Sequence, residues 1–178
     1  MTPGGAAPLQ PEPDPELAID IAVPDARWTE IDRDLEAAVE SAVRATIGHA
    51  GLAAAEAEIS VVLGDDPLVR QLNQTFRDTD RATNVLSFAL TEGEAVPASG
   101  PAMLGDVVLA FDTVAREARE QSKSRRDHAL HLVVHGVLHL IGYDHGSEAE
   151  ARVMERMETR VLADLGIADP YLERPPPA

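Results

Sequence analysis

The sequence predicts an α+β fold in which a mixed four-stranded sheet is packed with about five helices. The chain has 178 residues and 44% hydrophobic content, enough for one domain with a sizeable buried core. Short apolar segments typical of strands alternate with longer segments of helical periodicity. A histidine-bearing segment from residue 124 to residue 140 is apolar nearly all round, which predicts a helix buried at the centre of the fold.

Four segments have the composition and spacing of strands, namely residues 17–23, 58–63, 83–88 and 105–111. The polar connection between the last two strands, from Thr91 to Met103, contains no helical segment. We therefore expect these two strands to be antiparallel neighbours. The earlier strands are joined through helices and are expected to be parallel.

Five segments are predicted to be helical, namely residues 29–48, a short helix starting at Asp66, residues 112–121, residues 124–140 and residues 147–166. Capping boxes at Ser124 and Ser147 support the last two starts. In the short helix, the predicted buried side consists of Leu68, Val69, Leu72 and Phe76. In the last helix, it consists of Val153, Met157, Val161 and Leu165.

The two ends of the chain differ in composition from the rest. Residues 1–15 contain five Pro and no apolar period, so we expect a disordered leader. Residues 168–178 are rich in Pro and are expected to form a loose tail. Residues 16–167 would then form a single metal-binding catalytic domain.

Composition limits where the protein acts and what it binds. The chain has no Cys, which excludes disulfides and thiolate metal sites and fits a reducing cytoplasm. It has no apolar run of membrane-spanning length and does not begin like a signal peptide, so we expect a soluble, cytoplasmic protein without a membrane partner. The net charge of −16 argues against general affinity for nucleic acids but leaves room for a local basic groove.

Residues 135–145, with the sequence His-Gly-Val-Leu-His-Leu-Ile-Gly-Tyr-Asp-His, carry the most specific pattern. His135 and His139 are four residues apart, so their imidazoles lie on one helix face and can share one cation. Gly142 lets the chain reverse, so that His145 can supply a third ligand. Three imidazoles leave a fourth position open for water, as in catalytic zinc sites.

The alternative interpretation of this pattern is a structural or pH-sensitive histidine cluster. The chain has only six His, and that alternative explains three of them at this spacing, with a Gly turn, less well than a metal site does. His128 and His131 lie on the same stripe of the helix, and we expect them to contact the ligands or the substrate rather than the metal.

The spacing matches the zinc-protease pattern H-E-x-x-H-x-x-G-x-x-H except at Gly136, where those enzymes carry the Glu that acts as general base. A peptidase of that type would therefore lack its base. The metal could still activate a bound water and polarise a phosphoryl or carbonyl oxygen, which favours a hydrolase with a different substrate.

The stretch 135–145 also fits the signature H-G-x-L-H-L-x-G-Y-D-H at every fixed position, and the chain resembles the YbeY family of metal-dependent single-strand endoribonucleases. Residues 72–73, 76–77, 83–88 and 105–108 extend the resemblance, which covers roughly residues 17–166. Two positions depart from the family's usual pattern: Phe76 stands where Tyr is usual, and Ala89 where Pro is usual.

The resemblance implies a zincin-like fold and one Zn²⁺ per chain, held by His135, His139 and His145. It also implies that Arg77 grips the RNA substrate. In the family, the physiological task is maturation of ribosomal RNA, notably the 3′ end of 16S rRNA, together with ribosome quality control. The implied partners are a small-subunit ribosomal protein and a ribosome-associated GTPase.

We expect Arg77 to stabilise the charge that develops on the scissile phosphate beside a metal-bound water. Arg81, Arg125 and Arg126 are candidate substrate-binding residues, provided that the two basic groups of the sequence converge on the metal. Otherwise these arginines form an ordinary solvated surface. Asp144 could orient a ligand imidazole, although an Asp beside a Gly commonly serves a turn.

Two other functions remain open from sequence alone. A zincin-like metallopeptidase would need a carboxylate supplied from elsewhere in the chain. A non-enzymatic ribosome-assembly factor would use the metal only as a structural element. The ion is also open, because three imidazoles suit nickel or copper as well as zinc.

Overall fold

The computed structural model describes residues 16–52, 56–91 and 101–172. The predicted leader, residues 92–100 of the predicted connection and the last six residues of the predicted tail lie outside these ranges. The strands are β1 (Glu16–Ala22), β2 (Glu56–Gly64), β3 (Val85–Ala89) and β4 (Pro101–Ala110). The helices are α1 (Arg27–Ile31), α2 (Leu35–His49), α3 (Asp66–Arg77), α4 (Phe111–Glu120), α5 (Arg125–Leu140) and α6 (Glu148–Asp164).

The four strands form one mixed sheet with the order β1-β2-β4-β3. β1 pairs with β2 and β2 pairs with β4 in parallel, whereas β3 pairs with β4 in antiparallel orientation. This arrangement confirms the predicted mixed sheet and the predicted antiparallel pair. β3 lies at an edge of the sheet, beside β4.

Helices cover both faces of the sheet. The main core joins α2, α5 and α6 to one face, and α5 is buried nearly all round, as predicted. A smaller cluster packs Val69 of α3 against Leu86 and Val108. Because neighbouring residues of a strand point to opposite faces, and Val107 belongs to the main core, α3 covers the other face.

The predicted single helix from residue 29 to residue 48 is instead two helices, α1 and α2, which makes six helices in the described residues rather than about five. Asp32 has extended backbone angles between them, and its carboxylate accepts a hydrogen bond from the Asp34 amide at 2.9 Å. The Trp28 side chain of α1 is fully buried, and its Nε1 donates to the Gly64 carbonyl of β2 at 2.9 Å, which attaches this short helix to the sheet.

β4 begins at Pro101, four residues before the predicted start at Gly105. Gly105 instead lies within the strand, beside the point where the register with β2 shifts. Its φ of +130° and the position of its missing Cβ, 2.0 Å from the Phe88 carbonyl oxygen, exclude other residues. Gly105, which the sequence indicated as the start of a strand, therefore lies at a β-bulge.

Two predicted buried faces are partly wrong. Phe76 is 66% exposed, because its only packed ring neighbour among the described aromatic residues is Phe88 on edge strand β3. Val153 is 47% exposed, and the buried residues of α6 are Met154, Glu158, Val161 and Leu162. The buried stripe of α6 is thus rotated by about one residue from the prediction, and it contains a carboxylate.

Candidate metal centre

The C-terminal half of α5 positions two imidazoles. Ser124 caps the helix by accepting a hydrogen bond from the Asp127 amide at 3.0 Å, and the helix continues without a break to Leu140. His135 and His139 therefore lie on one face, and their Nε2 atoms are 3.1 Å apart. Two ring nitrogens at this separation are close enough to bind the same ion.

The turn after α5 brings a third imidazole to the same point. Gly142 has a φ of +100°, a left-handed conformation that other residues adopt only with strain. The ring of His145 lies 4.9 Å from that of His139 and 5.6 Å from that of His135, measured between centroids. One nitrogen of each of these three histidines lies within 4.8 Å of the others, so the group could hold a metal ion.

The chemistry of this donor set fits zinc. Three imidazoles, with no fourth protein ligand among the described residues, suit zinc, nickel or copper and would leave one coordination position open. Burial, followed by the nearby rings of His135 and His145, lowers the pKa of His139. A lowered pKa keeps His139 neutral near pH 7, and the neutral ring is the form that binds a metal.

His135 is oriented by a buried carboxylate. Glu158 on α6 is 1% exposed, and its Oε1 accepts a hydrogen bond from His135 Nδ1 at 2.6 Å. Burial raises the pKa of Glu158, but hydrogen bonds from His131, His135 and Tyr171 outweigh this effect and lower it to about 2. The carboxylate is therefore ionised, so Nδ1 of His135 carries the proton and Nε2 is free to bind the ion.

Gly136 explains why the peptidase base is absent. A Cβ at this position would lie 2.6 Å from Cγ1 of Val107 and 3.1 Å from Oγ of Ser87. The helix thus approaches the sheet so closely that no side chain fits between them. A Glu at position 136 would require Val107 or the helix to shift, and the peptidase alternative receives no support from this site.

Arg77 is connected to the residue next to His135. Its Nη2 donates to the Ser87 carbonyl at 2.9 Å, and Oγ of Ser87 donates to the Gly136 carbonyl at 3.2 Å. β3 therefore links the end of α3 to the part of α5 that carries the histidines. The exposed ring of Phe76 adjoins Arg77 in the sequence and contacts Phe88, which the Arg77 guanidinium also approaches.

Two of the other three predicted substrate residues lie away from the histidines. Arg125 and Arg126 lie in the first turn of α5, about 14 Å or more along the helix from His135. Arg126 Nε also donates to Asp32 at 2.8 Å. Arg81 follows α3 with an exposed side chain, and its carbonyl accepts a hydrogen bond from Asn73 at 2.9 Å.

Comparison with known proteins identifies the family. A family model described as Endoribonuclease YbeY matches residues 22–166. The chain belongs to the YbeY endoribonuclease family. Endoribonuclease YbeY of Paramagnetospirillum magneticum is 48% identical over 161 residues, which cover 89% of this chain and 97% of the relative. Endoribonuclease YbeY of Agrobacterium fabrum is 54% identical over 119 residues, which cover 67% of this chain and 70% of the relative.

A solved structure supports the fold of this YbeY-family chain. The solution structure of TM1509 from Thermotoga maritima is similar with a TM-score of 0.51 and 25% identity, covering 87% of this chain and 99% of that one. The predicted zincin-like α+β fold is consistent with this similarity. Among the helices of the described ranges, none is both long and apolar enough to cross a membrane.

Two residues at the centre of this YbeY-family chain, Glu158 and Tyr171, are not among the site residues predicted from the sequence. Glu158 interrupts the apolar stripe of α6, and a carboxylate at a core position usually has a buried partner. Helical spacing alone could have indicated this buried carboxylate, but it could not have indicated the histidines that the carboxylate contacts. Tyr171 lies within the predicted tail, and its hydroxyl donates to Glu158.

Proposed function

We propose that this protein is a zinc-dependent endoribonuclease that cuts single-stranded ribosomal RNA. The proposed physiological target is the 3′ end of 16S rRNA in the cytoplasm, with a further part in ribosome quality control. Family membership supports the activity. The observation that carries the metal dependence is the group of His135, His139 and His145, whose ligand nitrogens lie within 4.8 Å of one another.

The three histidines would hold the ion, and Glu158 would keep His135 in the tautomer that binds it. When bound, Zn²⁺ would act as a Lewis acid that polarises a phosphoryl oxygen. Arg77 would bind the scissile phosphate and stabilise the charge that develops there. One of its N–H groups is engaged by the Ser87 carbonyl, which anchors the guanidinium and leaves other donors for phosphate.

Phe76 would give the site its preference for unpaired RNA. Its ring is 66% exposed and is adjacent to Arg77 in the sequence. An exposed aromatic ring beside an arginine is typical of surfaces that bind single strands, since the ring stacks on a base while the cation holds the backbone. Bases inside a duplex are already stacked and cannot use this surface.

The remaining arginines would contribute less. Arg81 and Arg125 are exposed and, within the described residues, have no ion pair, so we propose them as phosphate contacts further from the scissile bond. Arg126 could join them only by leaving Asp32. By family resemblance, a small-subunit ribosomal protein and a ribosome-associated GTPase are the proposed partners.

The test combines metal analysis with cleavage of a structured RNA that carries a single-stranded tail. We expect about one zinc per chain, cleavage confined to the tail, loss of cleavage on chelation and recovery on adding zinc. Full cleavage by metal-free His135→Ala protein would refute the metal dependence. Unchanged maturation of rRNA ends in cells carrying His139→Ala would instead favour a non-enzymatic assembly factor.

A further inference from the structure

The two oxygens of the Glu158 carboxylate accept hydrogen bonds from different residues. Oε1 accepts the hydrogen bond from His135, one of the proposed zinc ligands, at 2.6 Å. Oε2 accepts hydrogen bonds from His131 Nε2, at 2.8 Å, and from the hydroxyl of Tyr171. Because two donors fix Oε2, the carboxylate cannot rotate freely, and Oε1 stays directed at His135.

Tyr171 reaches this carboxylate from beyond the last helix. Its backbone amide donates to Oδ1 of Asp169 at 2.9 Å, and the Pro170 carbonyl accepts a hydrogen bond from Lys123 Nζ at 3.3 Å. Its ring meets that of His131 edge-on, with centroids 5.7 Å apart. The described beginning of the predicted tail is thus attached to both α5 and α6.

We propose that Tyr171 and Glu158 are positioning residues for His135, so that residues 169–171 form part of the metal centre. This inference rests on the proposed zinc site. Tyr171 acts through Glu158, and Glu158 acts through the Nδ1 atom of His135. Neither residue touches the ion, and their effect is to hold the ring in the orientation that the ion requires.

The proposal differs from a purely structural role in what a conservative substitution changes. Tyr171→Phe removes one hydroxyl and keeps the ring that packs on His131, so the fold should be nearly unaffected. Glu158→Gln keeps the shape of the side chain but removes the charge that both histidines contact. A structural role would lower the stability of the metal-free protein without a specific effect on the affinity for zinc.

Thr159 provides a matched control. Its hydroxyl donates to Oδ1 of Asp169 at 3.4 Å, so it attaches the same chain segment to the same helix. It lies next to Glu158 in the sequence, and its recorded hydrogen bond goes to that segment rather than to a histidine. Thr159→Val therefore removes one hydrogen bond of this segment and leaves the contacts of Tyr171, Glu158 and His135 in place.

The experiment measures the zinc affinity of the full-length protein by competition with a chromophoric chelator. We expect Glu158→Gln to bind zinc about 10- to 100-fold more weakly, with a smaller loss in the same direction for Tyr171→Phe and none for Thr159→Val. The d–d absorption spectrum of the cobalt-substituted protein should change in the first two variants and not in the third. Thermal unfolding of each metal-free variant reports the effect on the fold separately.

Two outcomes would overturn the inference in distinguishable ways. If the unsubstituted protein binds zinc and cleaves RNA but Tyr171→Phe and Glu158→Gln keep its affinity and cobalt spectrum, the positioning role is wrong and the proposed function stands. If the unsubstituted protein binds neither zinc nor cobalt, the proposed metal site fails, and the positioning role fails with it.

Discussion

The two ends of α5 carry the same kind of pair, a histidine and a glutamate, in different surroundings. Near the N-terminal end, His128 is 3% exposed and its Nε2 donates to Glu117 at 2.8 Å. Glu117 also accepts a hydrogen bond from Asn84 at 3.0 Å. Near the C-terminal end, His135 uses Nδ1 for Glu158, and its Nε2 faces the ring of another histidine.

His128 and His135 differ in which ring nitrogen contacts the carboxylate and in the surroundings of the other ring nitrogen. At His128 the second nitrogen is buried without a partner in the described part of the structure, so the ring is closed to ligands. At His135 the second nitrogen opens towards His139 and His145. A histidine on an apolar helix therefore indicates a ligand only when its free nitrogen meets other donors and solvent.

The largest expected difference between the two ends concerns the metal. His139→Ala should lose stoichiometric zinc and reduce cleavage to the level of a chelated sample, because two imidazoles alone bind an ion weakly. His128→Gln should keep both zinc and cleavage. Metal analysis beside cleavage of a single-stranded RNA compares the two variants, and loss of zinc from His128→Gln would contradict the distinction.

The next largest difference is expected between Arg77, which Ser87 links to the C-terminal half of α5, and Arg126 in the first turn of α5. Arg77→Ala should lower cleavage about 100-fold at unchanged zinc content, because it removes a donor to the developing phosphate charge. Arg126→Ala should change cleavage little, because that guanidinium is paired with Asp32. Single-turnover rates measure both, and equal losses would indicate that the substrate runs along the whole helix.

A moderate effect is expected at Phe76. Phe76→Ala should weaken binding of single-stranded RNA by about 1–3 kcal/mol while leaving duplex affinity unchanged, because one stacked base is lost. Phe76→Tyr should retain the affinity. Met103→Ala, at a side chain of similar exposure (60%) on β4, is the control. Binding titrations that did not separate Phe76→Ala from Met103→Ala would refute the stacking role.

The smallest expected effect is on the pH dependence of stability, and it comes from His128 near the N-terminal end of α5. Burial lowers the pKa of His128 below its ordinary value of 6.5, even though Glu117 acts in the opposite direction. The unfolded chain therefore takes up this proton more readily, so the stability linked to neutral His128 is fully present above about pH 6.5 and is lost as the pH falls.

Denaturant titrations of metal-free protein from pH 7 to pH 5 measure this loss. His128→Gln should flatten the pH dependence of the unfolding free energy by up to about 1.4 kcal/mol per pH unit. An unchanged slope would mean that the folded protein already accommodates the charged ring.

What could be predicted from the sequence was set by local spacing. The positions of His135 and His139 follow from helical periodicity, and the turn that carries His145 follows from Gly142. The antiparallel pairing of β3 with β4 follows from a connection without a helix. Each of these depends on residues close together in the chain.

What could not be predicted depends on how distant elements pack. Glu158 is 23 residues from His135, and their contact is decided by the way α6 lies against α5. The indole of Trp28 donates to Gly64 on β2, 36 residues away in the chain. The exposure of Phe76 follows from the position of β3 at an edge of the sheet. Such facts belong to tertiary structure, which apolar periodicity alone does not specify.

The fold holds the three proposed ligands with different rigidity, and this difference has a consequence for exchange of the ion. Two of them stand on a helix whose residues are buried nearly all round, whereas His145 stands on an exposed loop after the left-handed Gly142. Release would begin with the loop, while the helix keeps its two rings in place for the next ion. The residence time of the ion would thus be set by a few surface residues, and substitutions there could alter it without disturbing the core.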